Sequence, residues 1–232
     1  MTLTSDGRFV FIISSNRHQV SSGVTGIYIK NNELFIGDDV ISLELDKTMG
    51  SLNMLYSTKK RYNVRLSDGK YIKYIKFECD VSKIRKVHFG NNLTNIGVFA
   101  FSRYYSLESI TIPDSVTSLS GTIFSWDKSL KSVYIPDSVI YFGESSFWQC
   151  INLEKVRLSE NPNYTKLSKE MFVGCKRLKE LVLPANITEI GDMVFKNCSN
   201  LQNLICEGNT VSLGKDVFKG CSKLKQVKVS ID

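Results

Sequence analysis

The chain has 232 residues, 42% of them hydrophobic and 23% charged, with six cysteines and two histidines. That is enough for one elongated domain or two small ones with a substantial core. The net charge of +7 divides into +3 over residues 1–83 (12 Lys and Arg against 9 Asp and Glu) and +4 over the remainder. The basic excess is therefore spread out, not gathered into the stripe that nucleic-acid binding needs, and a nucleic acid or anionic glycan is a minor expectation as partner.

No apolar run approaches the roughly 18 residues that span a bilayer. The stretch Phe9, Val10, Phe11, Ile12 and Ile13 is too short and ends in polar Ser14, Ser15, Asn16 and Arg17. No basic start, longer apolar run and small-residue cleavage site combine into a signal peptide, so the chain as given reads as intracellular unless an export signal was trimmed from it.

In chain order, the first third reads as short β segments at 8–13, 24–29, 33–36 and 40–45, with Asn31 and Asn32 making a hairpin turn between two of them. The densest basic cluster follows: Lys59, Lys60 and Arg61, then Arg65, Lys70, Lys73 and Lys76. It reads as a solvated face. Ile72, Ile75 and Phe77 carry the spacing of the repeat that comes next, yet Ile84 follows only 12 positions after Ile72. They read as a truncated first coil.

From Ile84 onward the sequence repeats every 23 positions, with units opening at Ile84, Leu107, Leu130, Leu153, Leu178, Leu201 and, partially, Leu224. Each opens with three apolar residues at positions 1, 4 and 6, as in Leu107, Ile110 and Ile112, or Leu130, Val133 and Ile135. The last two are spaced as in a strand, so the variable residue between them points away from the core. Pro113, Pro136 and Pro184 follow the strand directly, where a missing N–H ends a ladder.

Further apolar positions come at Leu93, Val116, Val139 and Ile187, then at Ile96, Leu119, Phe142, Ile190 and Leu213. A glycine follows at Gly97, Gly143, Gly191 and Gly214, a position expected to need positive φ. An aromatic plug closes the unit at Phe101, Phe124, Phe147, Phe195 and Phe218. The unit at Leu153 carries two extra residues around Asn161, Pro162 and Asn163, so its matching residues are Leu167 and Phe172. Such an insertion belongs in a surface turn.

One such unit cannot bury its own apolar face, whereas stacked units cover one another. The expected fold is an α/β-type repeat solenoid with residues 71–232 as the solenoid. Residues 1–70 are expected to be a β-rich cap over an end that would otherwise expose core.

The segments running from Leu130 to Cys150 and from Leu178 to Cys198 resemble the BspA-like leucine-rich repeats, also called the TpLRR class, over about two thirds of the chain. The resemblance implies a right-handed leucine-rich-repeat superhelix, with a parallel sheet on the concave side and short helical or irregular segments on the convex side. It also implies a surface protein that binds host or bacterial partners, found in bacteria of mucosal surfaces and in some protozoa.

Candidate chemistry is sparse. Cys150, Cys175, Cys198 and Cys221 share one repeat position, filled by Tyr104 and Asp127 in the first two units. They read as a row of buried thiols; a disulfide or metal role is the alternative, though no CxxC pair is present. Cys79 and Cys206 show no pairing signal. His18 lies in no catalytic arrangement, and His88 takes an outward strand position as a surface imidazole. Gly37, Asp38 and Asp39 form an acidic turn too short to carry inference. The sequons at Asn92, Asn163, Asn186 and Asn197 are no more than composition predicts. Trp126 and Trp148 are expected to pack between coils. No cofactor or metal motif is present.

What remains is the outward face of the strands. One column runs His88, Thr111, Tyr134, Arg157, Val182, Ile205 and Lys228, and a second runs Lys86, Ser109, Ser132, Lys155, Glu180, Asn203 and Gln226. Tyr and Arg are enriched at binding hot spots, and Val182 with Ile205 adds an apolar pair on a wet face. The candidate site is therefore Tyr134, Arg157, Val182 and Ile205 with Lys155 and Glu180, contacting a protein or peptide; the strand-end loops or the first third are the alternative surface. The expected function is a non-catalytic interaction module. A surface adhesin or host-binding fragment is the second reading, and an enzyme with its site in residues 1–70 the third.

Overall fold

The structure, a computed structural model, describes residues 80–208 and 211–229 and, before them, seven strands. These are β1 (Thr2–Leu3), β2 (Phe9–Ile13), β3 (Ile27–Lys30), β4 (Glu33–Ile36), β5 (Val40–Leu45), β6 (Arg61–Leu66) and β7 (Tyr71–Phe77). The expected β segments of the first third are thus found, with Lys30 opposite Glu33 in an antiparallel β3–β4 hairpin. The turn residues Asn31 and Asn32 lie outside the described residues, as do His18, Gly37, Asp38, Asp39, Lys59, Lys60, Lys70 and Cys79.

From residue 84 each coil contributes two short strands. The first set is β8 (Lys86–Phe89), β10 (Ser109–Thr111), β12 (Ser132–Tyr134), β14 (Lys155–Arg157), β16 (Glu180–Leu183), β18 (Asn203–Cys206) and β20 (Gln226–Val229). It forms the concave face, and its register is the one the repeat dictates. Ile110 lies opposite Val133 and Val133 opposite Val156; Leu181 lies opposite Leu204. The second set is β9 (Asn95–Ile96), β11 (Ser118–Leu119), β13 (Tyr141–Phe142), β15 (Lys166–Leu167), β17 (Glu189–Ile190) and β19 (Ser212–Leu213), also pairing in parallel.

The result is a parallel β-solenoid. Among the described residues the convex side holds no α-helix, and a single 3-10 turn at Val81–Lys83 precedes the first coil, its start capped by the Asp80 carboxylate on the Ser82 N–H. The core is one continuous cluster running through the stacked coils. Phe101, Phe124, Phe147, Phe172, Phe195 and Phe218 stack ring on ring down its centre, with centroids 5.2–6.0 Å apart and planes within 12°.

On the convex side backbone hydrogen bonding takes an unusual route. Two residues per coil adopt positive φ: Phe99 and Arg103, Thr122 and Trp126, Ser145 and Gln149, Glu170 and Gly174, Met193 and Asn197, Asp216 and Gly220. This costs on the order of 1 kcal/mol at each non-glycine position. The twist aims alternate N–H groups at the next coil: Thr122, Phe124 and Trp126 donate to the carbonyls of Glu144, Ser146 and Trp148 at 2.8–2.9 Å. The next three coils do the same, ending with Met193, Phe195 and Asn197 on Lys215, Val217 and Lys219.

Two expectations are corrected. Gly97, Gly143, Gly191 and Gly214 are not the positive-φ residues, which come two and six positions later. Close approach explains Gly143 and Gly214 instead: a Cβ on Gly143 would sit 2.7 Å from Gly121 Cα, and one on Gly214 2.6 Å from Asp192 N. At the same places the glycine N–H donates across the stack, Gly143 to Leu119 and Gly214 to Ile190, both at 2.8 Å.

The second correction concerns the first coil. β7, which contains Ile72, Ile75 and Phe77, pairs with β6 and β2 and does not extend the concave sheet. β4 does, running parallel to β8 with Leu34 opposite Val87 and Ile36 opposite Phe89. β5 then joins the second ladder, with Leu43 opposite Ile96. All these partners are 53 positions apart, so the true first coil lies in the first third and carries an insertion of 30 residues that includes β6 and β7. β6 places Tyr62 in the core, where its hydroxyl donates to the Ala100 carbonyl at 2.5 Å and lies 2.9 Å from the Tyr104 hydroxyl.

Candidate functional site

The concave face displays its variable residues in register. Ser109, Ser132 and Lys155 form one row and Thr111, Tyr134 and Arg157 the next; beyond β14, Glu180 faces Asn203 and Val182 faces Ile205. Tyr134 and Val182 are exposed, at 43% and 39%, and Ile205 is partly so. Lys155 and Glu180 are exposed as well. The six predicted residues thus share one face.

Arg157, of a residue type enriched at binding hot spots, is already engaged within the chain. Its guanidinium lies 5.1 Å from the centre of the Tyr134 ring, donates to the Ile135 carbonyl and grips both Asp137 carboxylate oxygens and Glu160. The Arg157 hydrogen bond holds the Asp137 carboxyl below its ordinary pKa, helped by the Glu160 N–H, and the same carboxylate raises the guanidinium's. Arg157 therefore fixes the Tyr134 ring and the turn after β14.

That turn contains the two extra residues. Tyr164 donates its N–H to the Asn161 carbonyl just as Val139 does to Pro136 in the preceding coil, so the added pair is Ser159 and Glu160, directly after the strand. Ser159 is buried and donates to the Val139 carbonyl at 2.8 Å, while Glu160 is exposed. From the next coil, the Asn186 side-chain amide reaches the carbonyls of Ser159, Asn161 and Tyr164 at 2.6–3.2 Å.

The insertion acts as a dislocation. Before it the long coil pairs backwards, β14 on β12; after it the coil pairs forwards, β15 on β17. β14 has no ladder to β16, and β13 has none to β15, so both sheets are interrupted here. On the concave side the result is a cleft of about 440 Å³ lined by Glu154, Lys155, Val156, Arg177, Lys179, Glu180, Leu181 and Val182. Three of the six predicted residues line it. Sequence reasoning missed Glu154, Arg177 and Lys179, although the 25-residue unit was their signal.

Charges around the cleft are unevenly committed. Glu154 pairs with Arg177 at 3.2 Å, and Glu180 accepts from the Asn203 amide at 3.1 Å. Among the described residues Lys155 and Lys179 have no ion-pair partner.

The other chemical candidates are built into the stack. Cys150, Cys175, Cys198, Cys206 and Cys221 are free thiols. Those of Cys150, Cys175, Cys198 and Cys221 donate to the carbonyls of Phe124, Phe147, Phe172 and Phe195 at 2.9–3.2 Å. Burial pushes all four up from the ordinary thiol range, and the Asp127 carboxylate adds to the effect at Cys150. At the equivalent position Asp127 accepts from the Tyr104 N–H at 2.7 Å, so a side-chain bond to a neighbouring coil is what this site requires, not sulfur. Among the described residues no group of three or more His, Cys, Asp or Glu could hold a metal ion.

His88 lies at its outward position, stacked on Phe35 with centroids 4.2 Å apart, and its Nε2 is 2.6 Å from a Glu33 carboxylate oxygen. It links the first coil to the second. Trp126 and Trp148 pack edge to face at 5.4 Å, with Arg103 and Lys128 over the Trp126 ring.

These features define a leucine-rich-repeat solenoid. A family profile for the BspA type leucine rich repeat region matches residues 53–177 and 160–232, in six copies, and the chain belongs to that family. Solved structures share the fold. A leucine rich cell surface protein from Faecalibacterium prausnitzii is 20% identical, with a TM-score of 0.53 over 65% of this chain and 55% of that one. A leucine-rich repeat protein from Bacteroides ovatus is 26% identical, with a TM-score of 0.51 over 62% of this chain and 43% of that one. This chain spans about half the length of these two structures. No curated protein matches in sequence. No helix among the described residues is long and apolar enough to cross a membrane.

Proposed function

We propose that the chain is a non-catalytic interaction module that recognises a protein or peptide on its concave face, along Tyr134, Arg157, Val182 and Ile205 with Lys155 and Glu180 beside them. The observation that carries this reading is the cleft between β14 and β16, which opens in the middle of that strip. Apolar Val182 sits at its edge, and Tyr134, held by Arg157, lies one strand away. A rigid aromatic beside a recess is the arrangement that concentrates binding energy in a few residues. Residues 1–70 act in this reading as the cap of the solenoid, through the β4 and β5 ladders.

Cell-surface display, as an adhesin or host-binding fragment, is the second reading. It draws on the printed description of the F. prausnitzii structure as a cell surface protein.

The test is a comparative pull-down with wild type and a Tyr134→Ala/Ile205→Ser variant, both confirmed as folded by circular dichroism. The variant is expected to lose a partner that wild type retains. Equal recovery of every partner by both proteins removes the concave assignment.

A further inference from the structure

The long coil loosens more than one face of the stack. A regular coil is joined to the next along three faces: the concave ladder, the second ladder and the convex row of N–H groups. Between the block of coils that ends at β14 and the block that begins at β15, both ladders are broken. On the concave side Glu154 donates its N–H to the Lys131 carbonyl and Gln202 to Lys179. Among the described residues Lys179 makes no such bond to Glu154. On the second ladder Ile140 donates to Thr117 and Thr188 to Thr165, but Thr165 makes none to Ile140. Among the described residues the backbone bonds that cross are those of the convex row, from Ser145, Phe147 and Gln149 to Lys169, Met171 and Val173 at 2.8–3.0 Å.

One other junction lacks its concave ladder, between β8 and β10, but there the second ladder and the convex row both continue. Two separated rows of bonds fix the angle between coils, whereas a single row leaves an axis to turn about. The side chains that brace the open faces are few. Glu154 meets Arg177 in an exposed ion pair, a weak brace, and the Ser168 hydroxyl donates to the Phe142 carbonyl. On the pivot side the stack stays closed, with Phe147 on Phe172 at 5.2 Å.

The strip proposed for binding is divided by this junction. Tyr134 and Arg157 stand on β12 and β14, Val182 and Ile205 on β16 and β18. We infer that the long coil is a hinge: the two blocks turn about the convex hydrogen-bond row, and the angle sets the spacing between Tyr134 and the Val182–Ile205 pair. A partner that touches both halves then selects one angle from those the free chain samples. That bearing on recognition rests on the concave face being the binding face; the hinge itself does not.

The test is a distance measurement by double electron–electron resonance on the full chain. Nitroxides are carried on ketone-bearing amino acids, so the native thiols stay unlabelled. One pair, at the exposed positions Ser109 and Gln226, straddles the hinge. Two control pairs, also at exposed positions, lie within single blocks: Lys86 with Tyr141, across the β8–β10 junction, and Thr188 with Gln226. The straddling pair is expected to give a distance distribution roughly twofold wider than either control, or more. Deleting Ser159 and Glu160 is expected to narrow it to the width of the controls.

Equal widths for all three pairs in the wild-type chain overturn the proposal, an outcome that depends on no variant folding. A folded deletion variant whose straddling distribution stays as wide as wild type overturns it too, because the breadth then arises elsewhere. The pull-down with Tyr134→Ala/Ile205→Ser separates the two readings. A narrow distribution with a lost partner removes the hinge and keeps the concave face; a wide one with every partner recovered does the reverse.

Discussion

The coils that open at Leu130 and at Leu153 differ by two residues and share one core. In both, a buried Phe lies in the same ring stack, Phe147 on Phe172 at 5.2 Å. Both have a buried cysteine bonded to a neighbouring coil's carbonyl and positive φ at the same two convex positions. Even the convex hydrogen bonds between them are intact, from Ser145, Phe147 and Gln149 to Lys169, Met171 and Val173. Only the strands part company. The difference teaches that the period is held by the core and the convex backbone, while strand pairing is local and yields when Ser159 and Glu160 are added. Strands β10, β12 and β14 build one stretch of wall and β16, β18 and β20 another, with the long coil's opening between them.

The comparison can be broken first at what the two coils share. Phe147→Ala removes the ring between Phe124 and Phe172 and is expected to cost about 3–5 kcal/mol. Chemical denaturation should show a large fall in midpoint; a change under 1 kcal/mol would mean that the stack does not hold the period together.

It can be sharpened next at the close approach between regular coils. Gly143→Ala forces a methyl against the Gly121 backbone and should destabilise by about 1–3 kcal/mol. Ser168 occupies the matching position of the long coil and donates to the Phe142 carbonyl, so Ser168→Ala should cost only about 1 kcal/mol. Equal costs at the two sites would contradict a tighter approach in the regular coil.

Deleting Ser159 and Glu160 restores the 23-residue period and should let β14 and β16 join. Amide exchange at Val156 and Val182 is then expected to slow by roughly tenfold, the scale of one net backbone hydrogen bond. Unchanged exchange would show that the insertion is not what separates the strands.

The smallest effect belongs to the clamp of the long coil. The Asp137 carboxyl has its folded-state pKa depressed by Arg157, so its contribution is present above the ordinary carboxylate pKa of about 3.9 and is lost as pH falls through the folded value. Because the pair is exposed, Asp137→Asn should cost at most about 1 kcal/mol near neutral pH, less at high salt, and nothing below the folded pKa. A cost that persists at acid pH would place the role of Asp137 in its neutral hydrogen bonds.

Much of the fold was legible because the solenoid repeats a short local pattern many times. Leu107, Ile110 and Ile112 already place a strand, and Phe124 and Phe147 at one offset already place the stack. The outward placement of the strip proposed for binding was legible to the same degree, since Tyr134, Val182 and Ile205 sit between apolar residues that face inward. The first coil was obscured by its 30-residue insertion. Leu34, Ile36 and Leu43 have the right spacing, but the contacts that complete the coil come from Tyr62 and from β8, far along the chain. The sequence also misjudged the glycines, because the backbone of a neighbouring coil comes closer to them than any local rule indicates.

The amino-acid pattern alone thus determined the period, the in-register core and the face that is free to vary, since each follows from which side chains water rejects at fixed intervals. Only the tertiary structure decided where that regularity fails. Whether two added residues bulge outward, or shift one coil between its neighbours and open a cleft, depends on how adjacent backbones pair, and pairing is a property of the stack, not of any one repeat.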